Sequence, residues 1–436
     1  MSFKVIVFSC LMLSTAAAVC YNAATSNGVR NLQDNEYACK ALEAGESSAE
    51  LGRNVWRCVS GMLTNVTCNS LRWDNQNKIC NWPQAFNCDP DQAFSQVPTK
   101  PVSDASTTST TTPAPIAKCS PSNCDIPNCF CYGSRPNITL EETPQFVLLT
   151  FDDAVTISVY SSVYRKLLID NYWNLYNPNN CSIKSTFFIT HNYTDYSLVQ
   201  TLYDYGHEIA DHTVNHVSNT DLYSEVYSEI VGLRDLIVNK TKIKPNDIKG
   251  FRSPYLKIMG DTQYDVLRSN QFLYDSTITN IELQVGRRPL WPFTLDYPID
   301  DNGCPNRPCP ARQHPGLWEI PMNSWVGSNG FSCGMIDGCT VKGNDFTGTV
   351  DDFVAYYRNN FNKFYAQRVP MHLFSHASMF LKYETALEAL GIFLQEILAL
   401  GDVWLVTPSK LIFWMQNPIS YNWLKYTNYS CIAEEE

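Results

Sequence analysis

The sequence predicts an α/β protein: parallel strands covered by helices, in an open sheet or a barrel, behind a small cysteine-rich module. Three observations predict this. After residue 145, short apolar runs alternate with segments whose apolar residues recur at helical spacing, the pattern of repeated strand–helix units. Residues 20–88 hold six cysteines (Cys20, Cys39, Cys58, Cys68, Cys80, Cys88), in a stretch too short for a good core without staples. Between the two textures runs "VPTKPVSDASTTSTTTPAPIAK", whose Ser, Thr and Pro cannot build a core and read as an extended linker.

The elements follow in order. "MSFKVIVFSCLMLSTAAAVC" has a lysine, an apolar run and an alanine-rich end, so residues 1–18 read as a secretory signal; the run is too short for a membrane anchor. Residues 19–88 form the cysteine-rich module and 89–118 the linker, leaving 119–436 as the main domain. There "CSPSNCDIPNCFC" admits a zinc knot or a disulfide cap, and a secreted chain favours the cap. Strands are expected at 146–151, 183–190, 207–210, 249–252, 272–275, 317–321, 371–375 and 402–407. Helices are expected at 158–170, 195–204, 221–238, 351–365 and 383–399.

Of 17 cysteines Cys10 lies in the signal, and the sixteen others are even in number, as full pairing in an oxidising compartment requires. Six Asn-x-Ser/Thr sequons, at Asn65, Asn137, Asn180, Asn192, Asn239 and Asn428, fit a secreted glycoprotein. The net charge of −11 argues against nucleic acid or an anionic membrane as a partner. Beyond the N-terminus no stretch is apolar enough to span a bilayer.

Polar clusters sit where the expected strands end. "LLTFDDAV" closes an apolar run with adjacent Asp152 and Asp153, although neighbours on a strand should face opposite ways and two buried carboxylates repel. "HTVNH" spaces His212 and His216 four apart, which on a helix puts both imidazoles on one face; alone, that spacing is as readily a surface coincidence. With Asp153 they make a two-His, one-carboxylate set, open like a catalytic rather than a structural zinc site. "FRSPYL" puts Arg252 at a strand end, either a surface charge in a turn or a partner for an Asp, and Pro254 fixes the chain so that a nearby backbone N–H can face the site. "PMHLFSHASMF" offers His372, readable as a core histidine, and His376, placed to act as a general acid. In a (β/α) barrel the strand C-termini surround one mouth, so these distant residues would converge.

In this order and spacing "TFDD", "HTxxH", "RSPY" and "SHAS" resemble the NodB-like polysaccharide deacetylases (carbohydrate esterase family 4). "CxxPxCFC", "YDSTI", "WPFTLDY" and "WEIPMN" make the likeness closest to arthropod and nematode chitin deacetylases, over about 119–415. The resemblance implies an irregular (β/α) barrel with fewer than eight strands. It implies Asp152 as catalytic base, Asp153, His212 and His216 as ligands of Zn2+ or another divalent metal such as Co2+, and Arg252 as the partner that orients Asp152. The Tyr255 backbone N–H would help hold an oxyanion and His376 would protonate the leaving amine, with Asp275 behind it. Met379 stands where related chitin deacetylases often carry Trp.

Residues 54–88 resemble the second half of a peritrophin-A type chitin-binding domain, in which Trp73 and Trp82 could stack on sugars or form a tiny core. The Cys39–Cys58 gap is longer than that family's, and Trp56 replaces its common Tyr. The expectation is a secreted, monomeric chitin deacetylase of a cuticle or gut matrix, acting on chitin or chitooligosaccharides. A deacetylase of another acetylated polysaccharide and a non-catalytic chitin-organising protein are the alternatives.

Overall fold

The computed structural model describes residues 118–280, 288–299, 304–429 and 431, and between residues 19 and 96 the backbone of short strands. Among the latter are two antiparallel pairs, Asn54–Val59 with Met62–Thr67 and Arg72–Asp74 with Ile79–Asn81. The signal, the linker, the pairing of the first cysteines and the side chains of Trp73 and Trp82 lie outside the described residues. The barrel belongs wholly to the second of two units, Pro113–Glu436.

Nine strands make one curled sheet, not the fewer than eight that the resemblance implies, because strands of only two or three residues extend it. They are β1 (Gln145–Asp152), β2 (Thr186–Ile189), β3 (Glu208–Asp211), β4 (Gly250–Phe251), β5 (Tyr274–Asp275), β6 (Phe293–Thr294), β7 (Trp318–Glu319), β8 (Met371–His376) and β9 (Val403–Leu405). The order is β6-β7-β5-β4-β3-β2-β1-β8, with β9 pairing the start of β1. All pairs are parallel except β6 with β7. All eight expected strands are present: β2, β4, β5, β7 and β9 are shorter than expected, β3 is shifted by one residue, and β1 and β8 run past their expected ends. Antiparallel β6 was not expected, because two residues are too few to show a period.

Helices α1 (Ile157–Val159, running on as a π-helical stretch Tyr160–Ile169), α2 (Tyr196–Asp204), α3 (Tyr223–Lys240), α4 (Gly260–Ser269), α5 (Val350–Gln367), α6 (Ser378–Lys382) and α7 (Glu384–Leu398) cover the outside, and α8 (Pro408–Gln416) packs against the inner side. Their starts are chemically marked. Asp195 caps α2, and Thr349 with Asp352 forms a capping box on α5. Thr407 caps α8, whose first residue is Pro408. Helices α4, α6 and α8 were not expected; α4 is too polar ("GDTQYDVLRS") to display a clear apolar stripe.

β1 shows why the strands read as unbroken apolar runs: both faces are buried. Val147, Leu149 and Phe151 pack outward under the helices, whereas Phe146 and Leu148 pack inward with Phe188, Ala210, Tyr274 and Trp404. Leu411, Ile412, Trp414 and Met415 of α8 join this inner cluster. The inward row of β1 continues Thr150, Asp152, so the interior turns from apolar to polar toward the strand C-termini. All ten cysteines in the described residues pair, as Cys119–Cys131, Cys124–Cys129, Cys181–Cys431, Cys304–Cys309 and Cys333–Cys339. The cysteines of 119–131 are therefore a disulfide cap and not a zinc knot.

Gly250 starts β4 where nothing larger fits: a Cβ there would stand 2.0 Å from Tyr274 Cζ. The Tyr274 ring is buried and its hydroxyl donates to Glu208, so it cannot swing away cheaply. Gly250→Ala is expected to destabilise the barrel by about 1–3 kcal/mol or more, read as a fall in the thermal midpoint.

Candidate active site at the barrel mouth

The adjacent aspartates come first. Asp152 is the last residue of β1, points inward and is 3% exposed. Asp153 leaves the strand with φ +82°, its amide donating to Phe188 O at 3.0 Å. That left-handed turn is uncommon for a residue with a Cβ. It redirects the chain so that both carboxylates reach the same mouth instead of opposite faces.

Arg252, 1% exposed, follows β4 and holds Asp152 through Nη1 to Oδ1 at 2.5 Å. The rest of its guanidinium is committed: Nη1 also donates to Thr150 Oγ1 (3.1 Å), Nε to Ser276 O (3.0 Å) and Nη2 to Ser276 Oγ (3.1 Å). Below it lies the Phe188 ring, 4.0 Å from Cζ to centroid. Arg252 is thus no surface charge; it is a rigid cationic floor for one carboxylate.

His212 and His216 do not lie on a helix, contrary to the expectation from their spacing. Residues 212–216 form a loop after β3, with Thr213 at φ +68° and His216 at φ +56°. Buried Asp211 turns back to accept from Thr213 N, and Glu229 of α3 pins the outer side by accepting from Asn215 N and Nδ2. The loop brings the imidazoles together as a helix would, with ring centroids 5.1 Å apart. His216 Nε2 lies 3.2 Å and His212 Nε2 3.9 Å from Asp153 Oδ1.

The chemistry of this set fits a divalent cation. One ligand atom from each of Asp153, His212 and His216 can be chosen so that all lie within 4.8 Å of one another. His212 Nδ1 contacts the Arg252 carbonyl at 2.8 Å, so it must donate, which leaves the Nε2 lone pair facing the cluster. Burial pushes the His212 pKa down despite both aspartates, favouring the neutral ligand form. Burial would raise Asp153, but the His216 hydrogen bond and the charges of His376, His212 and His216 prevail and hold it below the usual carboxylate range. One carboxylate and two imidazoles leave coordination positions open for water and substrate.

His376 ends β8 directly opposite Asp152 in the parallel register, so both face the mouth. Its Nε2 is 3.9 Å from Asp153 Oδ2, and its Nδ1 is 2.7 Å from Asp337 Oδ2. Burial pulls its pKa down, yet the Asp337 hydrogen bond and charge, with Asp152 and Asp153 beyond, carry it up to about 9. The partner expected here was Asp275, and the structure corrects this. Asp275 is buried among Gln263, Thr277 and Glu319 and makes no bond to His376. Burial, and then the Asp275 charge, push Glu319 well above its ordinary value, so Glu319 keeps a proton toward Asp275. Asp337 escaped notice because it lies in a single 3-10 turn, Ile336–Gly338, within a connection, 39 residues before His376 in the chain. The signal that could have found it is the short Cys333–Cys339 bracket around "GMIDG".

Tyr255 follows Pro254 in a tight turn with φ +56°. Among the described residues its backbone N–H has no protein acceptor, and its 77% exposed ring meets His216 edge-on, centroids 4.7 Å apart. His372 is buried, its pKa pushed down to about 3 by burial and then by Arg252, as a core histidine. Met379 is buried against Ser375 Oγ and offers no ring to the mouth.

An incomplete parallel barrel with a His-His-Asp cluster and an arginine-paired aspartate at its mouth belongs to the class of the polysaccharide deacetylases. The model of that family, described as polysaccharide deacetylase, matches residues 140–272. Chitin deacetylase 8 of Bombyx mori is 32% identical over 333 residues, covering 73% of this chain and 83% of its own. Chitin deacetylase 1 of Bombyx mori is 33% identical over 325 residues, covering 69% of this chain; the chain spans 57% of that relative's length. A crystal structure described as a polysaccharide deacetylase from Mycobacterium smegmatis is 18% identical with a TM-score of 0.42, covering 65% of this chain and 94% of its own. The chain belongs to the polysaccharide deacetylase family.

Proposed function

We propose that this chain is a secreted, metal-dependent chitin deacetylase that hydrolyses the N-acetyl groups of N-acetylglucosamine units to give chitosan and acetate. The observation that carries this reading is the convergence of Asp152, Asp153, His212, His216, Arg252, Tyr255 and His376 on one mouth, each with the contact its role needs. Asp152, fixed by Arg252, takes a proton from the water that attacks the acetyl carbon. The unsatisfied Tyr255 N–H donates to the oxygen as it gains charge. His376, oriented by Asp337, gives its proton to the departing nitrogen. Asp153, His212 and His216 would hold Zn2+, or Co2+ in its place; bound there, the cation would supply Lewis acidity toward the carbonyl and the water.

The likeness to two chitin deacetylases over about seven-tenths of the chain supports chitin or chitooligosaccharides as substrate. Residues 19–88 are proposed as a chitin-binding module on the 89–118 tether. Ten paired cysteines and the leader sequence support secretion; no described helix is long and apolar enough to cross a membrane. The test is acetate release from chitin oligomers and from colloidal chitin. Release should stop with a chelator and return with added Zn2+. No release from any of these substrates would overturn the reading, and a protein that binds chitin yet releases nothing would favour the chitin-organising alternative.

A further inference from the structure

The sequons are not evenly placed about the barrel. Asn137 is exposed in the segment leading into β1, and Asn239 is exposed at the C-terminal end of α3, the helix whose chain goes on to β4. Asn180 and Asn428 are exposed near the Cys181–Cys431 bond, where Asn179 Nδ2 also donates to the carbonyls of Thr427 and Tyr429. That junction precedes β2, and the neighbouring Tyr421 N donates to Glu142 O just before β1. Because β1 to β5 run parallel, every one of these four positions lies toward the strand N-termini, the end opposite the mouth.

Asn192 is the exception. It lies between β2 and α2, on the loop that leaves a strand C-terminus, and it is exposed. This loop is tied to both halves of the proposed metal cluster. His191 N donates to Val214 O, between His212 and His216. Val155 N donates to Thr194 Oγ1 at 3.2 Å and Asp195 N to Val155 O at 2.9 Å, just past Asp152 and Asp153. Thr194 Oγ1 donates in turn to Thr190 O at 2.6 Å. With Tyr193 at φ +67° and its ring almost wholly exposed, the tip of the loop turns outward on the rim.

We propose that Asn192 carries an N-linked glycan that stands on the active-site rim and sets which form of the polymer can enter. Its Nδ2 would displace the pyrophosphate carrier from the anomeric carbon of a lipid-linked oligosaccharide: the C–N bond forms, the C–O bond to pyrophosphate breaks, and the amide proton is lost. A glycan is bulky and hydrated. On this rim it leaves room for a single, separable chain but obstructs a chain packed against others, so the enzyme prefers soluble oligomers and loosened polymer over ordered chitin. The four other sites on the barrel would dress its far end and leave access unchanged.

The attachment half of this proposal stands without the deacetylase reading; the access half rests on it. The experiment expresses the full chain in a eukaryotic secretory host and maps glycopeptides by mass spectrometry. Occupied Asn192 is expected, and unmodified Asn192 in secreted, folded protein overturns the site whatever the activity. Wild type, Asn192→Gln and the sequon-retaining Thr194→Ser are then compared on a soluble chitin oligomer and on insoluble chitin. Asn192→Gln should raise the insoluble-to-soluble rate ratio several-fold, with Thr194→Ser near wild type. An unchanged ratio with Asn192 shown to be occupied overturns the gating role. A parallel Asn239→Gln variant should leave the ratio alone; an equal rise there would overturn the dependence on the rim. Failure of every form on both substrates counts against the deacetylase reading and with it the access half, and leaves the glycopeptide result to judge the site.

Discussion

Asp152→Asn should keep its metal and lose turnover, while Asp153→Ala should lose both. The side chains are chain neighbours, yet their surroundings differ in kind. Asp152 is buried on an arginine that has two further polar partners, and Asp153 is half-exposed beside two imidazoles. An amide at 152 retains the shape but cannot take a proton from water, and a general base contributes about 10²–10⁴-fold. Arg252 then loses its ionic partner in a buried place, where an unpaired charge can cost about 3–5 kcal/mol. Its bonds to Thr150 and Ser276 remain, so the thermal midpoint should fall without loss of the fold. Metal content after dialysis and acetate release, measured on the same samples, decide the matter. If Asp152→Asn emptied the metal site, or Asp153→Ala kept metal and rate, the division of labour would be wrong.

That division was half legible in the sequence. An apolar run such as Phe146–Phe151 announces a strand buried on both faces, and its two aspartates announce a polar end. Only in the folded chain does Asp153 take the left-handed turn that lets side-chain alternation and convergence coexist. His212 and His216 show a right outcome reached by the wrong geometry: a spacing of four suggests a helix, but a loop pinned by Asp211 and Glu229 brings the rings together equally well. Asp275 misled because it sits at a strand end in a motif-rich segment, whereas its carboxylate faces a buried partner, Glu319. Asp337 was invisible for the opposite reason. It belongs to no strand and reaches His376 only through a disulfide-bracketed loop whose path local sequence does not dictate.

That loop makes Asp337 the second residue whose change should be large. In Asp337→Asn the amide fills the same space and can still contact His376 Nδ1, so the ring need not leave the mouth. What goes is a full negative charge 2.7 Å from the ring. His376 is pulled down by burial and lifted to about 9 chiefly by Asp337, with help from Asp152 and Asp153. Its folded value is thus above the ordinary 6.5. The acid form, and the stability its pairing contributes, is fully present below about 6.5 and lost as pH rises through about 9. A cation held by Asp153 would repel the imidazolium and lower the alkaline limb of the rate profile in both proteins, so the comparison between them rests on the direction of the difference. Asp337→Asn should therefore move that limb to lower pH and cut the rate at neutral pH by about 10²-fold, the scale of a general acid partly disabled. Metal content should not change, since neither His212 nor His216 touches Asp337. The pH dependence of acetate release for the two proteins, at matched metal loading, is the measurement. Superimposable alkaline limbs would mean that His376 is not the acid or that Asp337 does not set its protonation, and a purely structural role for Asp337 would lower the rate evenly at every pH.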